Sequence, residues 1–190
     1  GDDFIIGDMF SGGSPTGDRR VTGNIKDVRV FDDARTQAEI ISDAHTENVS
    51  DANLQGEWNF NGDYTDNTAN GNDLTASGSP VFGVDVPWRG ESGVSSSDYV
   101  LNLDGSSQYA AGTDQSYYDI TTSVDATVMG WINPQDLETG SGLVVAGKWG
   151  SSTRNWLFKL NTSGNLVFFS GNGGSSTDSS VTSSKALKNG

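Results

Sequence analysis

Short apolar segments separated by turn-forming residues recur along the whole chain, and they constrain its fold more than any other feature. Residues 21–31 alternate apolar and polar side chains, which is the pattern of a half-buried β-strand. Glycine accounts for 25 of the 190 residues, and Ser, Thr, Asn and Asp are abundant, which favours many short strands joined by turns. Few windows show an apolar period of about 3.6 residues, so long helices are not expected. The sequence therefore predicts an all-β domain.

The same patterns locate individual elements. Thr36 and Glu39, three residues apart, form a capping box, so residues 36–45 are the best candidate for a short helix. Residues 156–160 and 166–169 predict a hairpin. Further strands are expected at residues 4–7, 54–60, 99–103, 127–133 and 143–149.

The charge and the cysteine count exclude several function classes. The formal net charge is −14, and an acidic surface of this size repels phosphate backbones and anionic membranes. We therefore expect no nucleic-acid partner. The chain has no cysteine, so disulfides and thiolate metal sites are excluded. No run of 18 apolar residues is present, which predicts no membrane insertion.

Two motifs resemble a known family. Residues 23–40 read Gly-Asn-Ile-Lys-Asp-Val-Arg-Val-Phe-Asp-Asp-Ala-Arg-Thr-Gln-Ala-Glu-Ile, and residues 56–62 read Gly-Glu-Trp-Asn-Phe-Asn-Gly. Both motifs resemble laminin G-like, concanavalin A-like lectin and glucanase domains. Three further segments fall where that family places them, at residues 104–109, 128–132 and 144–149. The resemblance implies a two-sheet antiparallel jelly-roll sandwich with one short helix.

The two motifs stand in the reverse of the family order. In that family the first motif belongs to the last strand and the tail after it, and the second belongs to the first strand. The resemblance therefore implies that residues 1–50 are the C-terminal part of one unit and residues 51–190 the N-terminal part of a unit. This order leaves three explanations open: a slice of a tandem array of such units, one permuted domain, or a protein of which the sequence gives only part. A permuted domain would lack two or three strands that a partner could supply.

Catalytic residues are not expected in this chain. Glucanases of the resembling family use two Glu in a short Glu-x-Asp-x-x-Glu strand motif, with the carboxyl groups about 5 Å apart in retaining enzymes. The five glutamates lie far apart in the sequence, at Glu39, Glu47, Glu57, Glu91 and Glu138. His45 is the single histidine and is expected on the helix surface, so no His-based triad can form. The chain is predicted not to be an enzyme.

Calcium is the cofactor that the acidic residues favour. Hard cations take oxygen ligands from carboxylates, Asn side chains and backbone carbonyls. Four such side chains cluster in one turn-rich loop, and two more are expected near a sheet edge where the resembling sandwiches hold a structural calcium. These candidate ligands are Asp66, Asn70, Asn72 and Asp73 in the loop, with Asp27 and Asp104 beside them. Each aspartate also suits a plain turn.

Aromatic side chains are the candidates for ligand binding. A glycan site needs an exposed aromatic platform with polar partners beside it. The candidates are Trp88, Tyr117, Tyr118, Trp149 and Trp156, of which Trp88, after a proline in a loop, is the most plausible. Trp58 and Trp131 occupy apolar strands and are expected to face the core.

These observations favour a non-catalytic recognition or adhesion module. Its expected ligand is a glycan or glycoprotein surface, and its expected location is extracellular, on a cell surface or in a virion. The alternative is a structural or decoration domain of a fibre, capsid or surface layer, completed by neighbouring domains or copies. A glycoside hydrolase is the least favoured function, because it would need two carboxylates facing each other in a groove.

Overall fold

The computed structural model describes residues 3–11, 14–15, 19–84, 99–120, 125–137, 142–150, 154–172, 174 and 177–187. Within these ranges the chain forms two large antiparallel sheets and one α-helix, which confirms the predicted all-β sandwich with one short helix. A two-residue pair, β2 (Phe10–Ser11) with β3 (Ser14–Pro15), stands apart from both sheets. No helix of the described part is long and apolar enough to cross a membrane.

The larger sheet has seven strands, and all neighbours pair antiparallel. In spatial order they are β14 (Thr177–Ala186), β13 (Asn165–Gly171), β12 (Arg154–Leu160), β11 (Leu143–Trp149), β1 (Phe4–Ile6), β9 (Tyr109–Gly112) and β6 (Thr75–Ser77). The predicted hairpin is confirmed as β12 and β13, which pair from Trp156 with Ser170 to Leu160 with Leu166.

The smaller sheet is built around one long strand. Its order is β10 (Thr127–Pro134), β4 (Thr22–Phe31), β8 (Tyr99–Asp104) and β7 (Val81–Val84), and β5 (Leu54–Trp58) also pairs with β4. Along one edge β4 pairs with β10 over its whole length. Along the other edge, residues 22–25 of β4 pair with β8 and residues 28–31 pair with β5.

The first fifty residues supply an interior strand to each sheet. β1 lies between β9 and β11, and β4 lies between β10 and the pair β8 and β5. Residues 1–50 and 51–190 thus contribute strands to the same two layers. Their assignment to the two ends of a laminin G-like unit stays a prediction.

The core between the sheets is centred on four aromatic rings. Phe4 stacks on Trp58 with ring centroids 4.8 Å apart and contacts Tyr118 at 5.2 Å and Trp156 at 5.9 Å. All four side chains are at most 1% exposed. Aromatic groups dominate core energetics because each buries a large area. The core position expected for Trp58 is therefore confirmed.

The predicted helix is confirmed as α1 (Gln37–Ala44). The Thr36 side chain accepts a hydrogen bond from the Glu39 backbone, and the Glu39 carboxylate accepts one from the Thr36 backbone at 2.7 Å. These bonds form the expected capping box and lower the pKa of Glu39. His45 caps the C-terminal end and is exposed, as expected.

Candidate functional site

Two of the predicted ligand-binding aromatics are core residues. Trp156 is 0% exposed and Tyr118 is 1% exposed, and the Trp156 indole donates a hydrogen bond to the Tyr118 carbonyl at 2.8 Å. Burial also raises the pKa of Tyr118, because the phenolate would be poorly solvated. This placement corrects the expected exposed platform: both rings pack between the sheets, where a ligand has no access.

The packing role of Trp156 leads to a stability prediction. Trp156→Ala is expected to lower the free energy of unfolding by about 3–5 kcal/mol, as large-to-small substitutions of buried aromatics do. Trp156→Phe keeps an aromatic ring against Phe4 and is expected to lose less. Urea denaturation followed by circular dichroism measures both. A loss below about 1 kcal/mol for Trp156→Ala would contradict the core assignment.

The remaining predicted aromatics lie in different places. Trp149 is 8% exposed and packs in a small cluster outside the main core, with Arg154 over its ring at 5.4 Å. Tyr117 is half-buried, packs edge-on against Tyr118 at 4.7 Å and donates its hydroxyl hydrogen to Asn72. Trp88 lies outside the described residues. The structure therefore does not bring the five predicted aromatics together.

The predicted calcium ligand Asp66 holds its loop together through hydrogen bonds. Its side chain is buried, and its two carboxylate oxygens accept five hydrogen bonds at 2.9–3.1 Å. The donors are the Glu57 backbone, the Thr68 backbone and hydroxyl, and the Asn72 backbone and side-chain amide. A carboxylate offers about four lone-pair sites, so Asp66 has no vacant position for a cation.

The other loop candidates also have protein partners. Asp73 accepts a hydrogen bond from the Asp66 backbone at 2.9 Å, and the Asn70 side chain donates to the Gln55 carbonyl at 3.0 Å. The side-chain oxygen of Asn72 accepts a hydrogen bond from the Tyr117 hydroxyl. These bonds close the loop against β5.

Asp104 closes a turn in the same way. Its Oδ1 accepts hydrogen bonds from the backbones of Ser106 at 2.8 Å and Ser107 at 2.9 Å. Burial alone would raise the pKa of Asp104, but the Ser107 and Ser106 donors outweigh it and hold that pKa well below its usual range.

The six predicted metal ligands do not form one site. Asp27 faces a cavity whose lining includes none of the other five. Within the described ranges, no group of three or more His, Cys, Asp or Glu side chains is placed to hold a metal ion. Because a calcium ion takes six to eight oxygen ligands, this arrangement does not fit a calcium site shared by the six. Calcium elsewhere in the chain stays a prediction.

Asp27 stands at an irregularity of the smaller sheet. The pairing of β10 with β4 shifts between Met129, opposite Arg29, and Trp131, opposite Lys26, so β4 carries one extra residue there. Asp27 lies in this β-bulge with a φ of 51°, in the left-handed region. A bulge re-aims the side chains beside it. The Asp27 carboxylate is 2% exposed, on the face of the sheet that carries α1.

A cavity of about 150 Å³ lies beside this bulge, between α1 and the sheet. Its lining residues are Asp27, Arg29, Ile40, Ala44, Met129, Gly130 and Trp131. The Trp131 ring is half-buried, and its indole nitrogen donates to the Ala44 carbonyl at 3.3 Å. Arg29 is fully buried and is paired with Glu57 at 2.6 Å. The cavity therefore combines apolar walls, an indole and one carboxylate.

Trp131 and Arg29 are the residues of this cavity that the sequence interpretation missed. The core position expected for Trp131 is wrong, because β10 is apolar on both of its faces. Val128 and Ile132 pack against the core, whereas Met129 and Trp131 line the cavity. Apolar residues at consecutive positions of a strand indicate that both faces of the strand are covered, and this pattern could have predicted the cavity.

Comparisons with protein-family models, with curated proteins and with solved structures found no match. The class that the fold defines is an antiparallel β-sandwich with one short helix. The laminin G-like resemblance stays a prediction carried by the sequence motifs alone.

Proposed function

We propose that this domain is a non-catalytic recognition or adhesion module that binds a glycan at the cavity between Asp27 and Trp131. The parent protein would act outside the cell, on a cell surface or in a virion. The observation that carries the proposal is a buried carboxylate in a left-handed bulge that shares one cavity with an indole ring.

The chemistry of the cavity suits a sugar ring. A sugar presents an apolar C–H face and a rim of hydroxyl donors. The indole of Trp131 offers an aromatic surface, and the Asp27 carboxylate accepts hydrogen bonds only. Small-molecule sites combine mostly apolar walls with a few polar groups in this way. The cavity is smaller than the roughly 300–1,000 Å³ of sites that enclose drug-sized ligands, so it fits one terminal ring of a longer chain.

The backbone conformation at Asp27 favours a functional role for its carboxylate. Glycine is the usual residue at a left-handed bulge position, because other residues meet a steric cost there. Aspartate tolerates the conformation better than most residues, and its side chain is buried beside the cavity. Local strain of this kind clusters at binding sites. Selection for a ligand-facing carboxylate would account for this steric cost.

The net charge restricts the class of glycan that we expect to bind. A protein with a formal net charge of −14 repels sulfated and sialylated glycan chains at long range. We therefore expect neutral or amino sugars to bind, and anionic ones to be rejected.

A glycan array tests the site through matched variants. Asp27→Asn and Asp27→Gly both tolerate a positive φ, so the backbone is kept while the carboxylate is lost. Each is expected to weaken saturable binding at least about tenfold, which corresponds to about 1.4 kcal/mol. Trp131→Ala is expected to do the same. Trp88→Ala is the matched aromatic control, and arms with calcium and with chelator test whether the metal takes part.

The outcomes separate the possible sites. A folded protein that binds nothing on the array contradicts the recognition function. Binding that survives Asp27→Asn and is lost in Trp88→Ala would contradict the cavity as the glycan site and assign the site to Trp88. If the parent chain and all variants bind the glycan with calcium and lose it with chelator, then calcium, and not the cavity alone, holds the ligand.

A further inference from the structure

The edge strand β10 lacks the usual protection of a sheet edge. Among the described residues it pairs with β4 alone. Its sequence, Thr-Val-Met-Gly-Trp-Ile-Asn-Pro, contains no charged residue, and its one proline is the last residue. Natural edge strands are usually very short, charged or interrupted by proline, because an open edge invites another strand. β10 has eight residues, whereas the edge strands β7 and β6 have four and three.

The other long edge is protected. β14 has ten residues, but its sequence carries Asp178 and Lys185 among Ser and Thr. A strand added to β14 would also extend a sheet that already has seven members. Among the described strands, β10 is therefore the long edge that carries no charged residue.

The larger sheet continues past the point where the smaller sheet stops covering it. Burial of the core-facing side chains is complete on β11 and β12 and falls across β13 and β14. Val145 on β11 is 2% exposed and Trp156 on β12 is 0% exposed, Phe168 on β13 is half-buried, and Val181 on β14 is 71% exposed. Val181 pairs directly with Phe168, which stacks on Trp156, so these side chains share the core-facing side.

The uncovered face is about two strands wide. Phe158 and Leu166 border it and are also half-buried against the core. Strands of one sheet lie about 4.8 Å apart, so covering β13 and β14 requires an extension of the smaller sheet by about 10 Å. That extension begins at β10.

We infer that an extended segment of a partner chain adds to the free edge of β10, where its backbone lies over Phe168 and its side chains reach Val181. Backbone hydrogen bonds to β10 hold it, and apolar side chains at every second position pack on the uncovered face. The residues between them face solvent, where the net charge of −14 favours basic or neutral side chains. This interaction does not depend on the glycan function.

Geometry disfavours a second copy of this chain as the occupant. Two copies that paired their β10 strands antiparallel about a two-fold axis would carry both larger sheets on the same side. Each larger sheet overhangs β10 by at least two strands, β13 and β14. The two overhangs, each about 10 Å wide, would then occupy the same space. A single extended segment meets no such clash.

A capped synthetic peptide, Thr-Val-Arg-Val-Thr-Val-Arg-Val, provides the probe for the full chain. Titration into 15N-labelled protein is expected to give saturable binding and to slow amide exchange in β10. The same peptide with alternate amides N-methylated cannot form the strand ladder and is expected not to bind. Val181→Lys places a charge on the uncovered face without disturbing a buried group. It is expected to weaken binding about tenfold or more.

Val81→Lys is the matched control. Val81 is 59% exposed on β7, at the opposite edge of the smaller sheet, and this variant is expected to bind the peptide as the parent chain does. Equal binding by Val181→Lys, or exchange protection on β7 or β14 in place of β10, would overturn the inference. So would dimerisation of the chain alone that Val181→Lys abolishes, because the occupant would then be a second copy.

Discussion

A fragment of residues 51–190 is expected to lose the cooperative unfolding transition of the full chain. Removing residues 1–50 deletes β1 and β4, which pair on both of their edges. The larger sheet would divide into β6 with β9 and β11 to β14, and the smaller sheet would lose the strand that joins β10 to the rest. It would also remove Phe4 from the aromatic stack of the core. Two-stranded remnants are at best marginally stable in water.

Urea denaturation followed by near-ultraviolet circular dichroism measures this effect. Residues 1–50, produced separately and mixed with the fragment, are expected to restore part of the near-ultraviolet signal. A second control reverses the order, with residues 51–190 first and residues 1–50 joined after a linker. β14 and β1 are four strand spacings apart, about 19 Å, which a Gly/Ser linker of about 20 residues spans. The reordered chain is expected to unfold cooperatively.

The result bears directly on the reversed order of the two motifs. If both parts belong to one sandwich, the chain order matters little as long as β1 and β4 reach the interior of the sheets. A fragment of residues 51–190 that unfolds with the same midpoint and urea dependence as the full chain would contradict this. It would show that the two parts are separable units, as in a tandem array.

Local sequence patterns predict the elements whose stability is local. The hairpin of β12 and β13 and the capped helix α1 lie where the apolar alternation and the Thr36 and Glu39 pair place them. The strand expected at residues 54–60 ends at Trp58 in the structure, because Phe60 has a φ of 56°. Boundaries of this kind depend on single backbone angles that no periodicity encodes.

Other features depend on contacts distant in sequence and could not be predicted. β14 lies in a Ser- and Thr-rich stretch without apolar alternation, and its conformation comes from pairing with β13. The cavity at Asp27 requires the pairing register of β4 with β10, which brings residue 26 opposite residue 131. The sequence alone shows that Trp131 is apolar and leaves open which side of the sheet its ring occupies.

Arg29→Ala is expected to lower the free energy of unfolding by about 3–5 kcal/mol, as much as the loss of a core aromatic. The Arg29 side chain is fully buried, and its Nε lies 2.6 Å from Glu57. Its other nitrogens donate to the carbonyl groups of Asp43 at 2.7 Å and Thr46 at 2.6 Å. Removing the guanidinium leaves a buried carboxylate without its cation and takes one hydrogen-bond donor away from each of the two carbonyls. Breaking one side of a buried ion pair is among the costliest substitutions.

Arg29 also determines whether α1 stays on the sheet. An eight-residue helix is unstable by itself, and Asp43 and Thr46 lie at its C-terminal end. In Arg29→Ala the α1 amides are therefore expected to exchange faster than those of β12 and β13. Lys185→Ala removes an exposed charge and is expected to change stability by less than about 0.5 kcal/mol.

A double variant separates the effect of the Arg29–Glu57 ion pair from the effect of the hydrogen bonds that Arg29 donates to Asp43 and Thr46. In Arg29→Met with Glu57→Leu no charge is left unpaired, so the part of the loss due to the ion pair should be recovered. The carbonyls of Asp43 and Thr46 still lack the guanidinium donor that joins them to β4, so fast exchange in α1 should persist. Recovery of both stability and slow exchange would mean that the other contacts of the helix, among them the Trp131 hydrogen bond to Ala44, hold it without Arg29. Recovery of neither would assign the whole effect to the two carbonyl groups.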